Sequence, residues 1–458
     1  MRIIILGAGQ IGEQLARTLV SDENDIVLID TNAEILDSIR SHIDIQTITG
    51  HAASPTVLLE AGIEQTDLLI AVTASDEINM IACVIARKIF QAPKTIARIR
   101  SQDYHQFPDL FKKNIFPVDT IIYPTKNILQ HMLRMIKYPE FSQILTFCQD
   151  KVYMVTVEIQ TQDWMHNKTL AELEAKIAKQ WIHLVAIFHK KQSISLDETY
   201  ELQEDDKVLF IAREQHLSML LKQLQRPSRH NSRIMLAGGG RIGSELAKHL
   251  EHEYQVKLIE ISPVRAEKNA SQLTKTLVIE GDVGDRELLL SENIEDIDMF
   301  FAITNHDETN IMASLQAKYL GANYAMALVS HENYLDLIDG SGIDAALSPQ
   351  NLTLSNILSQ VRANNMIKVH RLQEEEAEAV ELLVEGTERN SAVIGRPITD
   401  IELPAQCILA GIVRGKKLYF APSNLVIAAR DRIIFLVLNQ KCIRELEALF
   451  GVNLMFMS

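Results

Sequence analysis

Over the first 120 residues, short apolar runs alternate with stretches whose apolar positions recur at helical spacing. Runs rich in Ile, Val and Leu over residues 2–6, 26–30, 45–49, 67–72 and 95–99 predict strands, and the clearest helices between them fall at 11–20 and 77–90. Strand and helix in alternation are the signature of βαβ units on a parallel sheet. After this region the pattern changes. A helix opened by proline, "PTKNILQHMLRMIKY" (124–138), leads into a β-rich segment of about 75 residues, 151–225.

The pattern then repeats, about 230 residues further on. "GAGQIGEQLARTL" (7–19) returns as "GGGRIGSELAKHL" (238–250), "VLID" (27–30) as "KLIE" (257–260), and "TITGHA" (47–52) as "VIEGDV" (278–283). "LLIAVTASDEINMIA" (68–82) returns as "MFFAITNHDETNIMA" (299–313), with Thr, Asp-Glu, Asn and Ala in register. The second proline-opened helix is "PQNLTLSNILSQVR" (349–362), and the second β-rich segment spans 378–458. Within the β-rich segments "LVAIFHKKQSI" (184–194) matches "LAGIVRGKKLY" (409–419), and "EDDKVLFIA" (204–212) matches "AARDRIIFLV" (428–437). A period this long means duplication of whole domains rather than a solenoid.

The fold expected is α/β: two tandem Rossmann-like parallel-sheet domains, each followed by a small α+β lobe. The boundaries read as a first Rossmann-like domain at 1–122, a connecting helix at 123–140, a first lobe at 141–225 and a linker at 226–232. The second Rossmann-like domain then takes 233–347, its connecting helix 348–368 and the second lobe 369–458. Both connecting helices read as linkers or dimer contacts rather than catalytic elements.

A strand, then G-x-G-x-x-G, then a helix has a chemical rationale. The first glycine (Gly7, Gly238) makes the tight turn, and the second (Gly9, Gly240) lacks a Cβ, so that a pyrophosphate reaches the backbone. The third (Gly12, Gly243) lets the helix pack closely on the strand, and the phosphates meet N–H groups at the positive end of the helix. The intervening residues Ala8, Gln10 and Ile11, and Gly239, Arg241 and Ile242, complete the two loops. Asp30 and Glu260, 23 and 22 residues beyond the first glycines, are placed to accept from ribose hydroxyls, which favours NAD over NADP. His51 and Asp282 stand at the crevice rim, within reach of an adenosine. Thr73 and Ala74, with Thr304 and Asn305, end the fourth strands beneath the cofactor, while the following Asp-Glu pairs read as helix N-terminal charge.

The copies differ in where they carry positive charge. "TIARIRSQDY" (95–104) has Arg98 and Arg100 where the second copy has Leu328 and Ser330, and the second loop has Arg241 where the first has Gln10. A guanidinium at the carboxyl end of a parallel strand points toward the phosphates of the crevice. The expectation is that the two sites prefer different nucleotides or conformations. The plainer alternative is that Arg98 and Arg100 pair with surface carboxylates.

Composition narrows the function classes. A formal net charge of −15 over 458 residues disfavours nucleic acid as a partner, and no basic amphipathic stretch suggests lipid. No segment approaches the roughly 18 unbroken apolar residues of a membrane span. The run that opens "MRIIILGAGQ" is expected to be a strand rather than a secretory signal. Cys83, Cys148, Cys407 and Cys442 lie far apart without CxxC spacing, which argues against zinc and disulfides and for a reducing cytoplasm. Catalytic signatures are missing as well. No tyrosine is followed by lysine four residues on, and neither a Gly-Lys-Ser/Thr loop nor a Gly-x-Ser-x-Gly elbow occurs. What remains is duplicated nucleotide binding coupled to small lobes, the layout of a sensor that binds ligand differently in two conformations.

These residues resemble the RCK, or KTN, family, the regulators of potassium conductance. The resemblance covers essentially the whole chain, through "GAGQIG" and "GGGRIG", "LID" and "LIE", "AVTASDEINMIA" and "AITNHDETNIMA", and "IARIR", and the lobes resemble the family's C-terminal regulatory subdomains. It implies a non-enzymatic cytoplasmic regulatory subunit, peripheral on the inner face of the inner membrane without inserting into it. Such a subunit binds NAD(H) and adenine nucleotides such as ATP and ADP. It assembles as a ring, four chains giving eight RCK domains, beneath a membrane potassium-translocating subunit of the Trk type, and nucleotide-driven rearrangement of the ring gates uptake. The family's nucleotide contacts fall on Gly7 to Gly12, Asp30, Thr73, Ala74 and Arg98, and on Gly238 to Gly243 and Glu260. Two departures stand out: His51 where many members have Asp, and Asn167-Lys168 where the second lobe has Gly395-Arg396. The rival readings are a nicotinamide-dependent oxidoreductase of unrecognised type and a purely structural oligomerisation scaffold.

Overall fold

The structure, a computed structural model, describes residues 1–451 apart from 22–23, 113–114, 191, 227–231, 339, 362–365, 373–376, 421–423 and 440–441. Most of the expected linker at 226–232 lies outside the described residues, as do 362–365 of the second connecting helix expected at 348–368; its last three residues, 366–368, belong instead to a strand of the second lobe, because Met366 and Val369 bury into that lobe's sheet core.

The N-terminal sheet is built from β1 (Arg2–Leu6), β2 (Asp25–Asp30), β3 (Gln46–Thr49), β4 (Leu68–Ala71), β5 (Thr95–Arg98) and β6 (Thr120–Ile122). All pairs are parallel, in the order β3-β2-β1-β4-β5-β6. The chain leaves β1 toward β2 and returns to β4 on its other side, so the strand order reverses between β1 and β4. In open α/β sheets ligands bind at the carboxyl ends of the strands at this switch point. Both faces of β1 and β4 are buried, which explains their unbroken apolar runs.

The first lobe follows as an antiparallel sheet of β7 (Gln143–Phe147), β8 (Val152–Glu158), β9 (Ile182–His189), β10 (Gln192–Ile194) and β11 (Lys207–Arg213), in the order β10-β9-β11-β8-β7. Its first helix, Leu170–Lys176, starts at a capping box formed by Thr169 and Glu172. The second Rossmann-like sheet comprises β12 (Arg233–Ala237), β13 (Gln255–Glu260), β14 (Leu277–Glu280), β15 (Met299–Ala302), β16 (Ala325–Leu328) and β17 (Ala345–Leu347), ordered β14-β13-β12-β15-β16-β17. The second lobe has β18 (Met366–Arg371), β19 (Glu378–Leu383), β20 (Cys407–Arg414), β21 (Lys417–Tyr419) and β22 (Arg432–Val437), ordered β18-β19-β22-β20-β21.

Each copy thus has the same strand order as its partner. The sixth strands, β6 and β17, are absent from the sequence reading because three residues are too few to show a period. The lobes repeat even their irregularity. The β9–β11 ladder steps past Val185, and the β20–β22 ladder steps past Ala410 at the matching position. Each lobe also buries one aspartate completely: Asp206 holds His189, Tyr200 and the Gln203 N–H, and Asp431 holds Arg414 and the Ala428 N–H.

The compact units do not follow the order along the chain. Residues 1–124 group with 350–458, and residues 125–349 form the other unit. In the first unit the helix Pro349–Val361 packs Leu354, Ile357, Leu358 and Val361 into the same core as Ile3, Ile5, Leu15 and Leu28. Lys94 Nζ and the Thr120 hydroxyl donate to Gln360, at 2.5 and 3.4 Å. This helix is one wall of the N-terminal sheet's core rather than a simple linker. The second unit contains the helix Pro124–Lys137, the first lobe and the second parallel sheet.

Candidate functional site

Each glycine loop joins the carboxyl end of the first strand of its sheet to the following helix. Gly7 and Gly238 adopt φ of +102° and +116°, where a side chain is strained, and a Cβ there would sit 3.0 Å from backbone atoms at Thr73 or at Ile303 and Thr304. A Cβ on Gly12 or Gly243 would lie 1.8 or 1.9 Å from the carbonyl oxygen of Gly7 or Gly238, so only glycine permits the helix to pack this closely. Gly9 and Gly240 behave differently, since a Cβ on either would meet no atom within 4 Å. Their missing side chains serve space outside the protein, as the approach of a phosphate requires.

Ile11 is buried in the core of its sheet, so among the loop residues its side chain is structural. Gln10 is exposed, and its Oε1 accepts from Gln350 Nε2 at 3.1 Å. Arg241 is exposed on the second loop, beside a half-buried Ile242.

The acids that end the second strands are tied to the loops. Asp30 Oδ2 accepts the Ala8 N–H at 2.7 Å and Oδ1 accepts the Asn32 N–H at 2.9 Å. Glu260 Oε2 accepts the Gly239 N–H at 2.8 Å, while Oε1 takes the Ser262 N–H and two guanidinium contacts from Arg265 at 3.1 and 2.7 Å. Burial raises the Glu260 carboxyl, but Arg265 and the two backbone N–H groups outweigh it and hold the group below the usual range. The exchanges are sterically linked. A Cβ on Gly239 would fall 2.5 Å from Asn269 Nδ2 and 3.1 Å from the Glu260 side chain, so the longer acid goes with Gly239 and the shorter with Ala8. Asn269 donates to the Gly239 carbonyl at 2.8 Å. Arg265 and Asn269 stand where the first copy has Ile35 and Ile39. Sequence reasoning missed both, although two polar residues replacing two isoleucines on one helix gave a signal.

At the ends of the fourth strands the in-register asparagines hold the floor of the crevice. Asn79 Oδ1 accepts the Thr73 N–H and hydroxyl at 2.9 and 2.7 Å, and its Nδ2 donates to the carbonyls of Thr73 and Arg98. Asn310 repeats all four contacts with Thr304 and Leu328. Both asparagines are essentially inaccessible, and each clamps two adjacent strand ends together.

The Asp-Glu pairs prove to be fasteners rather than mere dipole charges. Asp76 accepts the N–H groups of Arg100 and Ser101, and Asp307 those of Ser330 and His331. Glu77 and Glu308 accept the hydroxyls of Tyr104 and Tyr334, each at 2.7 Å.

The two arginines of β5 divide the alternatives. Arg100 turns to the buried carboxylate of Asp76, 3.6 Å away, and to the carbonyl of exposed Ala74, so it pairs with an acid, though not one at the surface. Arg98 instead donates to the carbonyls of Val72 and Thr73, both at 3.0 Å, directly beside Gly7, and its Nε is buried without a hydrogen-bond partner. Burial, with repulsion from Arg100, lowers its guanidinium to about 10. The second copy has Leu328 at this position.

In the second copy these residues enclose a crevice of about 220 Å³, whose lining includes Gly238, Gly240, Glu260, Arg265, Asp282 and Thr304. Gly239, Arg241, Ile242 and Gly243 do not line it. Asp282 is exposed on its rim and accepts the Gly284 N–H at 2.8 Å. In the first copy His51 is likewise exposed, with Nδ1 3.3 Å from the Ala53 N–H. Among the described residues no group of His, Cys, Asp and Glu is arranged to hold a metal ion, and no helix is long and apolar enough to cross a membrane.

Fold and site together define a class: a tandem protein with two doubly wound, glycine-loop domains of dinucleotide-binding architecture, each paired with a small antiparallel lobe. The TrkA-N domain family matches residues 3–124 and 234–349, and the TrkA-C domain family residues 154–225 and 387–451. The chain is 40% identical to the Trk system potassium uptake protein TrkA of Vibrio alginolyticus and 38% identical to that of Halomonas elongata, covering 100% of each protein in both cases. It belongs to the TrkA family of Trk-system potassium uptake proteins. Among solved structures it shares its fold with the GsuK RCK domain, at a TM-score of 0.60 and 16% identity, over 98% of this chain and 94% of that one.

Proposed function

We propose that this chain is the cytoplasmic, non-enzymatic regulatory subunit of a potassium-uptake system, gating a Trk-type membrane subunit according to nucleotide occupancy. The observation that carries the reading is that each half has a glycine, Gly9 or Gly240, with open space over its Cα at the switch point of the sheet. Full-length likeness to potassium-uptake proteins supplies the physiological setting. The solved GsuK channel bound to NAD shares the fold, at a TM-score of 0.60 and 17% identity.

The residues fit a dinucleotide. In the first half the backbone from Gly7 to Gly12 faces the pyrophosphate, and Arg98, a half-buried cation bonded only to carbonyls among the contacts described, supplies compensating charge. Asp30 keeps a lone pair on each oxygen for the ribose hydroxyls, and His51 stands at the adenosine rim. In the second half Gly238, Gly240, Asp282 and Thr304, which line its crevice, take the corresponding places. The cofactors are NAD(H) and adenine nucleotides such as ATP and ADP. Oligomerisation into a ring, four chains with eight domains, converts altered loop contacts into movement at the membrane partner, because a ligand shifts only equilibria whose states it binds unequally.

The test is potassium uptake in cells that lack the peripheral subunit. The wild-type chain restores uptake, whereas Gly9→Val with Gly240→Val folds, binds no NADH or ATP, and loses nucleotide control. Unchanged uptake and control in that double variant would leave a scaffold as the function. Stoichiometric oxidation of NADH with a turnover number would make the protein an oxidoreductase.

A further inference from the structure

The two crevices differ most where a ribose would lie. In the first, Asp30 is partly exposed and has an open lone pair on each oxygen, and the neighbouring helix presents Ile35, while the Asn32 side chain is occupied in capping Glu34 and Ile35. A free 2′-hydroxyl donates to such a carboxylate, and a 2′-phosphate is repelled by it. In the second, Glu260 is only 3% exposed, and its Oε1 already takes three donors. Its charge is matched by Arg265, whose side chain is half exposed and lines the crevice. The ribose end of the first crevice is therefore an open carboxylate, and that of the second a carboxylate already paired with a half-exposed guanidinium. Asp282 is the remaining acid of the second rim. It is exposed, where solvent and salt screen it, and one of its oxygens holds Gly284.

We propose that the second crevice admits a nucleotide phosphorylated at the ribose 2′-position, with Arg265 as its recognition group, while the first admits only the free diol. The proposal rests on the reading of both crevices as nucleotide sites. It reverses, for the second copy alone, the preference for NAD that an acid at the end of the second strand implies.

NADH and NADPH differ only in the 2′-phosphate, so fluorescence titration of the full-length chain with each is the measurement. In Gly9→Val, where the first loop is blocked, NADPH is expected to bind at least as tightly as NADH. Arg265→Ala in that background weakens NADPH at least tenfold and changes NADH less than threefold. Because loss of Arg265 leaves Glu260 without its cation, the reciprocal variant guards against misfolding: Ile35→Arg with Gly240→Val gains NADPH binding in the first crevice. If Gly9→Val binds NADH but binds NADPH more than tenfold more weakly, or if Arg265→Ala leaves NADPH unaffected, the proposal fails and the nucleotide reading stands. If neither nucleotide binds the wild-type chain, the nucleotide reading itself fails.

Discussion

Glycines that look equivalent in G-x-G-x-x-G have unequal jobs. Gly12→Ala places a methyl group 1.8 Å from the Gly7 carbonyl oxygen, and a backbone atom cannot yield as a flexible side chain does. This variant is expected to lower the melting temperature markedly, whereas Gly9→Val leaves it within a few degrees and abolishes nucleotide binding; calorimetry and titration on the same samples separate the two. Asn79 is a second residue whose role exceeds its appearance. Replacing it with alanine strands the N–H of Thr73 and the carbonyl of Arg98 in a buried site, a cost of about 2–4 kcal/mol. Thermal unfolding of Asn79→Ala checks the loss, and weaker binding at the first crevice is expected with it. The sequence showed Asn79 and Asn310 in register but not what they held, because side-chain contacts across two strand ends leave no local pattern.

The elements follow local rules well. Helix starts fall on Asn32, Ser75, Thr169 and Asp285, all of which cap with their side chains, and strands fall on apolar runs. One helix end carries a pH dependence. Glu251 ends the helix Arg241–Leu250, and its carboxylate accepts the N–H groups of Thr274, Lys275 and Thr276 together with the two threonine hydroxyls. Burial raises this carboxyl, but the hydrogen bonds prevail and bring it from 4.5 to about 2. A folded-state value below the unfolded one means that the stabilisation is complete above about pH 5 and is lost as the pH falls through 4.5 toward 2. Glu251→Gln is accordingly expected to melt well below the wild type at pH 7 and close to it at pH 2, which a series of melts across that range would show.

At the scale of the molecule, covalent halves and compact units differ. Leu354, Ile357, Leu358 and Val361 belong to the core under the N-terminal sheet, although more than 200 residues separate them from it in sequence. Fully burying each contributes about 1.5–3 kcal/mol. The fragment 1–226 made alone is expected to expose that apolar face and self-associate. Coexpression with 232–458 as a separate chain should restore a soluble complex, and size-exclusion chromatography with light scattering distinguishes the outcomes. A monomeric fragment 1–226 with the melting behaviour of the intact protein would show that the helix is dispensable to the sheet.

Much of this protein is written locally. Alternating apolar runs, glycine loops, acids at strand ends and the 230-residue repeat determine the parallel sheets, the lobes and the position of each crevice, because these depend on backbone geometry that nearby residues impose. The tertiary structure alone decided which helix covers which sheet, that Arg98 lies against the floor of its crevice while Arg100 pairs with Asp76, and that Arg265 neutralises Glu260. Those contacts join residues from different elements, and their energies depend on distance, burial and competing partners that no local pattern encodes. The relocated charge seen between the two glycine loops is thus one part of a wider exchange, in which Ala8, Asp30, Ile35 and Ile39 of one crevice become Gly239, Glu260, Arg265 and Asn269 of the other.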